Sequence, residues 1–207
     1  LSAVCRACHE AGQRNLPWFV VGCGLPNLPA QLATAESYAE RLFEYRLIDR
    51  LSPAAAGEAL AKPASVEGVR WRADALAYVV ERSNGYPYFV QQFGKSTWDV
   101  AATSPITLFD ATGGVADGLA RLDAGFFRAR WERASVAERS YLTAMAADGD
   151  GPSSSGEIAR RLGKQPTALG PARANLIAKG IVFSPEHGKI AFTVPGMAAF
   201  IARHQDS

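Results

Sequence analysis

The sequence predicts a mainly α-helical protein with a little β structure. Residues 1–50 read as the remnant of an α/β sheet, 51–123 as a helical bundle, and 124–207 as a winged helix-turn-helix with a linker helix. Three observations predict it. Apolar residues recur at helical spacing between cap signals from Ser52 to Leu122. Residues 151–195, GPSSSGEIARRLGKQPTALGPARANLIAKGIVFSPEHGKIAFTVP, read as helix, turn, helix and a hairpin joined at His187-Gly188. Pro17-Trp18-Phe19-Val20-Val21-Gly22 has the unbroken apolar run of a strand buried in a parallel sheet.

At 207 residues and 48% apolar composition, the chain has ample material for a core. The net charge is only +2, and it lies in the second half: from Trp131 onward there are nine Lys/Arg against seven Asp/Glu. Strong nucleic-acid binders often carry a far larger basic excess. Charge therefore permits DNA binding without arguing for it. No apolar run approaches the ~20 residues that span a bilayer, so no membrane partner is expected. Three cysteines and no secretion signal point to a reducing, cytoplasmic location. Cys5 and Cys8 form a CxxC, yet no second ligand pair follows at finger spacing, so thiols on a helix explain them better than zinc.

Element by element, Leu1 to Arg14 reads as a helix ended near Gly12 and Asn15. The strand at 17–22 runs into the loop Gly22-Cys23-Gly24-Leu25-Pro26-Asn27-Leu28-Pro29. Residues 30–42 read as a helix and 43–47 as a second short strand. A buried strand needs pairing on both sides, and its neighbours are not in this sequence; the first residue is Leu, not Met. Both lead to the expectation of a piece of a larger protein. Ser52 caps a helix with Pro53 at its first position, ending at Lys62-Pro63. A helix over 71–83 carries Leu76, Tyr78, Val79 and Val80 and stops at Asn84-Gly85 in a left-handed cap. Tyr86-Pro87 turns into a helix over 88–102 with Phe89, Val90, Phe93, Trp98 and Val100. Ser104-Pro105 breaks it, and Thr107 caps the next helix, through Leu122. The helix over 124–133 interleaves Phe126, Phe127 and Trp131 with Arg128, Arg130 and Arg133. Packing explains it better than nucleic-acid stacking. Ser135-Val136-Ala137-Glu138 is a capping box. The helix after it turns Tyr141, Leu142 and Met145 inward.

In the winged segment, Ile158, Ala159 and Leu162 face the core from the first helix, and Leu169, Ala172, Leu176 and Ile177 from the second. Pro195 opens a closing helix with Met197, Phe200 and Ile201.

Together these stretches resemble the back half of an AAA-type or STAND-type P-loop ATPase with a C-terminal winged helix, of the origin-recognition-like kind. PWFVVGCGLPNLP resembles the strand and loop bearing sensor 1. YRLIDRLSPAAAGEAL resembles the last sheet strand and the entry to the helical lid. SNGYPYFVQQFG resembles the G-x-P segment of the lid. The resemblance spans almost the whole chain; no single motif in it is as specific as a Walker A, but their order is distinctive. It implies that Gly85 and Pro87 line an adenine pocket. Tyr88 follows, where many relatives carry an arginine that meets the γ-phosphate. Cys23 or Asn27 would stand at sensor 1. No GxxxxGK[ST] occurs, and the resemblance places Walker A, Walker B and the Mg²⁺ ligands N-terminal to Leu1. ATP or ADP with Mg²⁺ is therefore implied for the full-length protein, and neither hydrolysis nor a held cofactor for this chain alone.

Two roles remain open. In one, a DNA-binding module, the second winged helix enters the major groove of double-stranded DNA. Gln165, Thr167, Arg173 and Asn175 would meet bases, Arg160, Arg161 and Lys164 phosphates, and His187 and Lys189 would sit at the wing. In the other, the module is autoinhibitory or binds protein, its partners being the missing ATPase part, another protein or a second copy. His9, His187 and His204 form no catalytic constellation, so a free-standing enzyme is not expected.

Overall fold

The computed structural model describes residues 1–25 and 28–204. It is mainly helical with one small three-stranded sheet. Contacts group Leu1–Ile48 with Val136–Val194 as one unit, and Asp49–Ser135 with the segment from Pro195 as another.

The first unit opens with α1 (Ser2–Gln13), α2 (Leu28–Ala35) and α3 (Ala39–Leu42). The helix predicted over 30–42 is thus two. Cys5, Leu32 and Ala39 form a small core, with Leu28, Tyr38, Leu42 and Phe43 packed on it. The two predicted strands are absent. Residues 17–22 and 43–47 hold no regular structure, and Phe19 is 86% and Leu47 87% exposed. The physical reason is the one the sequence contained: a strand without a neighbour leaves its backbone donors and acceptors unpaired, so it gains nothing by forming.

The second unit begins with α4 (Pro53–Val66). The Ser52 hydroxyl accepts the Ala55 N–H at 3.2 Å. The helix does not end at Lys62-Pro63 but runs through Pro63 for three more residues. Next comes α5 (Ala73–Ser83), which starts two residues later than predicted, because Trp71 pairs with Ile106 in a parallel bridge. α5 ends on Asn84 at φ +50° and Gly85 at φ +66°. α6 (Pro87–Val100) and α7 (Leu108–Arg121) follow, the latter opened by a reciprocal Thr107–Asp110 capping box. Gly94 lets α6 close on Leu60, and Gly114 lets α7 close on Thr97. α7 continues without a break through a π-helical stretch, Leu122–Phe127, into α8 (Arg128–Glu132). Phe127 is buried there and stacks on Phe200 at 5.4 Å.

The first unit resumes with α9 (Val136–Ala146). A two-residue strand β1 (Ser153–Ser154) precedes α10 (Ser155–Arg161); a 3₁₀ turn at Pro166–Leu169 then leads into α11 (Gly170–Ala178). β2 (Val182–Phe183) and β3 (Lys189–Phe192) form the hairpin, and the sheet order is β1-β3-β2, all antiparallel. The predicted helix–turn–helix–hairpin order is present, and β1 is an addition to it. Tyr141, Leu142, Met145, Ile158, Leu169, Leu176 and Ile190 are buried, whereas Leu162, Ala172 and Ile177 are half-buried. α12 (Met197–His204) rejoins the second unit, where Arg203 makes two hydrogen bonds to Asp123 at 2.7 and 3.0 Å.

Among the described residues, no helix is long and apolar enough to cross a membrane.

Candidate functional site

Two places carry the predicted site residues. The first is a cavity of about 720 Å³ between α4 and α5. Leu51, Pro53, Leu76, Ala77 and Val80 give it apolar walls, and Arg50, Glu81 and Asn84 add polar groups. Gly85 closes one end. Its conformation is over-determined: the backbone is left-handed, its carbonyl accepts the Leu51 N–H at 2.8 Å, and its own N–H donates to the Ser83 hydroxyl at 3.3 Å. A Cβ there would lie 2.4 Å from the Leu51 carbonyl oxygen, so only glycine fits. Pro87 and Tyr88 do not line this cavity. Pro87 is exposed at the first turn of α6, and Tyr88 turns its ring to Phe126 at 5.0 Å. Of the three lid residues proposed for the nucleotide, the structure thus brings Gly85 alone to the cavity. Arg50 and Glu81 were not singled out from sequence, and Asn84 only as a cap; the cap signals at Ser52 and Asn84-Gly85 marked the spot, since helix ends bracket the opening.

Cys23 is an exposed free thiol in the irregular segment of the first unit, and Asn27 lies outside the described residues. Cys5 is buried and Cys8 half-buried, both free. Among the described residues, no group of three His, Cys, Asp or Glu side chains could hold a metal ion.

The second place is the surface of α10, the 3₁₀ turn, α11 and the hairpin. Here the long basic side chains divide. Arg161 is exposed but tied down: it donates to the Ala144 carbonyl at 2.7 Å, pairs with Asp148, and reaches Glu157 at 3.4 Å. Its hydrogen bond to Asp148 raises the guanidinium's pKa and holds the Asp148 carboxyl below its usual range. Arg173 is half-buried and donates to the Ser184 hydroxyl at 2.9 Å and, more weakly, to the Lys189 carbonyl at 3.4 Å. It ties α11 to the hairpin. Lys189 is half-buried beside it. Arg160 is exposed but paired with Glu157. Lys164, Gln165, Thr167, Asn175 and His187 are exposed. The remaining outward positions of α11 are Gly170, Pro171, Ala174 and Ala178, which offer no hydrogen-bonding side chain to a base.

Residues 124–201 match a family described as a domain of unknown function (DUF8462). No curated protein matches the chain. Among solved structures, the chain is similar to the Thermotoga maritima RuvB Holliday junction branch migration motor at 19% identity and a TM-score of 0.35, over 70% of this chain and 47% of that one. A point-mutant form of the same protein gives 20% identity and a TM-score of 0.39, over 75% and 51%. The chain thus spans about half the length of the solved structures it matches.

Proposed function

We propose that this chain is the helical lid and winged-helix part of an AAA/STAND-type P-loop ATPase, and that its winged helix works through protein contacts. The observation that carries the second half is the fate of the arginines. Arg161 and Arg173, two of the cations needed for a DNA-reading face, are spent on internal carbonyl, hydroxyl and carboxylate partners. What α11 presents outward is small and nearly uncharged, which suits close approach of another protein surface rather than a polyanion.

The cavity ending on Gly85 supports the lid half. Its apolar walls suit a flat base, and Arg50, Glu81 and Asn84 supply donors and acceptors for its edge. When bound in the full-length protein, ATP with Mg²⁺ would supply the phosphoryl chemistry; the residues here would hold the base. Adenosine should therefore shift the resonances of Leu76, Val80 and Gly85 in an isotope-labelled sample.

The DNA reading is separated by a fluorescence titration with random duplex at low and moderate salt. The expected result is no binding at micromolar protein at low salt. Affinity that falls steeply with salt would overturn the protein-contact reading and restore a DNA-binding one.

A further inference from the structure

Arg130 is a half-buried cation with no carboxylate within ion-pair distance among the described residues. Its guanidinium carbon lies 3.7 Å from the centre of the Phe126 ring, and one Nη donates to the Phe126 carbonyl at 2.9 Å. Phe126 and Phe127 stand at the end of the π-helical stretch. Phe127 goes to the core against Phe200, while its neighbour Phe126 turns to Tyr88. Burial pushes the Arg130 pKa down, and the groups that it feels are Tyr86, Arg133 and Tyr88. No carboxylate is among them. Partly buried charges are normally paired, because leaving water costs more than a ring face and one carbonyl return. Arginine has five N–H donors in a planar fork suited to phosphate, and one is in use here. Tyr88 is 48% exposed, so the place is open to solvent.

We propose that Arg130, with the Tyr88 hydroxyl, is a binding site for the phosphate groups of a polyphosphate ligand. The Phe126 face holds the guanidinium flat, and the ring of Tyr88 fixes Phe126 in turn. The Tyr88 hydroxyl donates to a further phosphate oxygen. This site stands on its own side chains and does not depend on adenine entering the α4–α5 cavity.

The test is thermal unfolding of the chain in inorganic tripolyphosphate against sodium chloride of equal ionic strength, with parallel titrations of ATP and adenosine. Tripolyphosphate is expected to raise the midpoint beyond the salt control. Arg130→Met, which keeps the apolar stem, should weaken that binding at least tenfold. Arg130→Lys should retain part of it, and Arg72→Ala, on an exposed pair in the same unit, should retain all of it. Tyr88→Phe keeps the ring contact and should weaken binding several-fold, which tests the site even if the Met variant does not fold. A wild-type midpoint no higher than in chloride, full retention in Arg130→Met, or equal loss in Arg72→Ala would each overturn the proposal. ATP binding without tripolyphosphate binding would also overturn it while leaving the cavity reading intact. A response to adenosine bears on the cavity alone.

Discussion

A Cβ placed on Gly114 would sit 2.3 Å from the Cα of Thr97. The contact between α6 and α7 is therefore backbone to backbone, and no side chain can stand at that position. One residue earlier, a Cβ on Gly113 would meet nothing within 4 Å. The two adjacent glycines should respond in opposite directions. Gly114→Ala is expected to destabilise by roughly 2–3 kcal/mol through overpacking. Gly113→Ala is expected to stabilise by about 0.5–1 kcal/mol, since it removes a flexible residue from an exposed helix interior. Urea unfolding measures both; equal shifts would refute the backbone contact.

Asn84 holds a left-handed conformation at φ +50° in the cap of α5. Asparagine tolerates this region better than most residues do. Replacement by alanine should cost about 1 kcal/mol, while replacement by glycine should cost nothing or stabilise slightly. The comparison isolates backbone strain from the loss of the side chain, and denaturant midpoints read it directly.

Arg161 is predicted to matter for folding, not for DNA. Arg161→Ala removes the cap on the Ala144 carbonyl and the partner of Asp148, so it should lower the unfolding midpoint without creating or abolishing duplex affinity. The pair also carries a pH signature. The Asp148 carboxyl is depressed in the folded state, mainly by the hydrogen bond from Arg161. A depressed acid contributes stability above its unfolded pKa of about 4, and the contribution is lost as pH falls through the folded value. Asp148→Asn should therefore flatten the acid limb of the stability profile. An unchanged acid limb would show that Asp148 is not its source.

Glu138 is buried, and Lys179 reaches it at 2.6 Å from the end of α11. Glu138→Ala should destabilise by roughly 3 kcal/mol, the low end for breaking a buried pair because Lys179 keeps some water. A joint Glu138→Gln, Lys179→Met variant should recover part of that loss. Equilibrium unfolding of the three proteins decides it.

Local chemistry was the legible part of this fold. Ser52, Thr107 and Asn84-Gly85 announce their helix ends because capping is a contest between a few neighbouring atoms. The helix–turn–helix–hairpin order was legible for the same reason, through periodicity and the His187-Gly188 turn. β1 was not, because Ser153 and Ser154 have no strand character of their own; they are held by pairing with Ile190 and Lys189. Pro63 misled because the cost of a proline in a helix can be outweighed by burying Leu60 and Ala64 on either side of it. The strand read at 17–22 has the right side chains, but pairing is decided by chain that is not adjacent. At the candidate site the same division holds. Gly85 was found by its cap, whereas Arg161 and Arg173 were read as free for DNA because sequence does not say which partners within the chain a long side chain takes up.

The return of α12 to the helical unit makes that unit discontinuous in sequence. Phe200 and Arg203, encoded after the hairpin, complete the packing around Phe127 and Asp123, encoded before α9. A gene truncated before residue 195 to remove the hairpin unit would therefore also strip a helix from the body it meant to isolate. A clean excision has to keep both flanks and bridge them with a new loop.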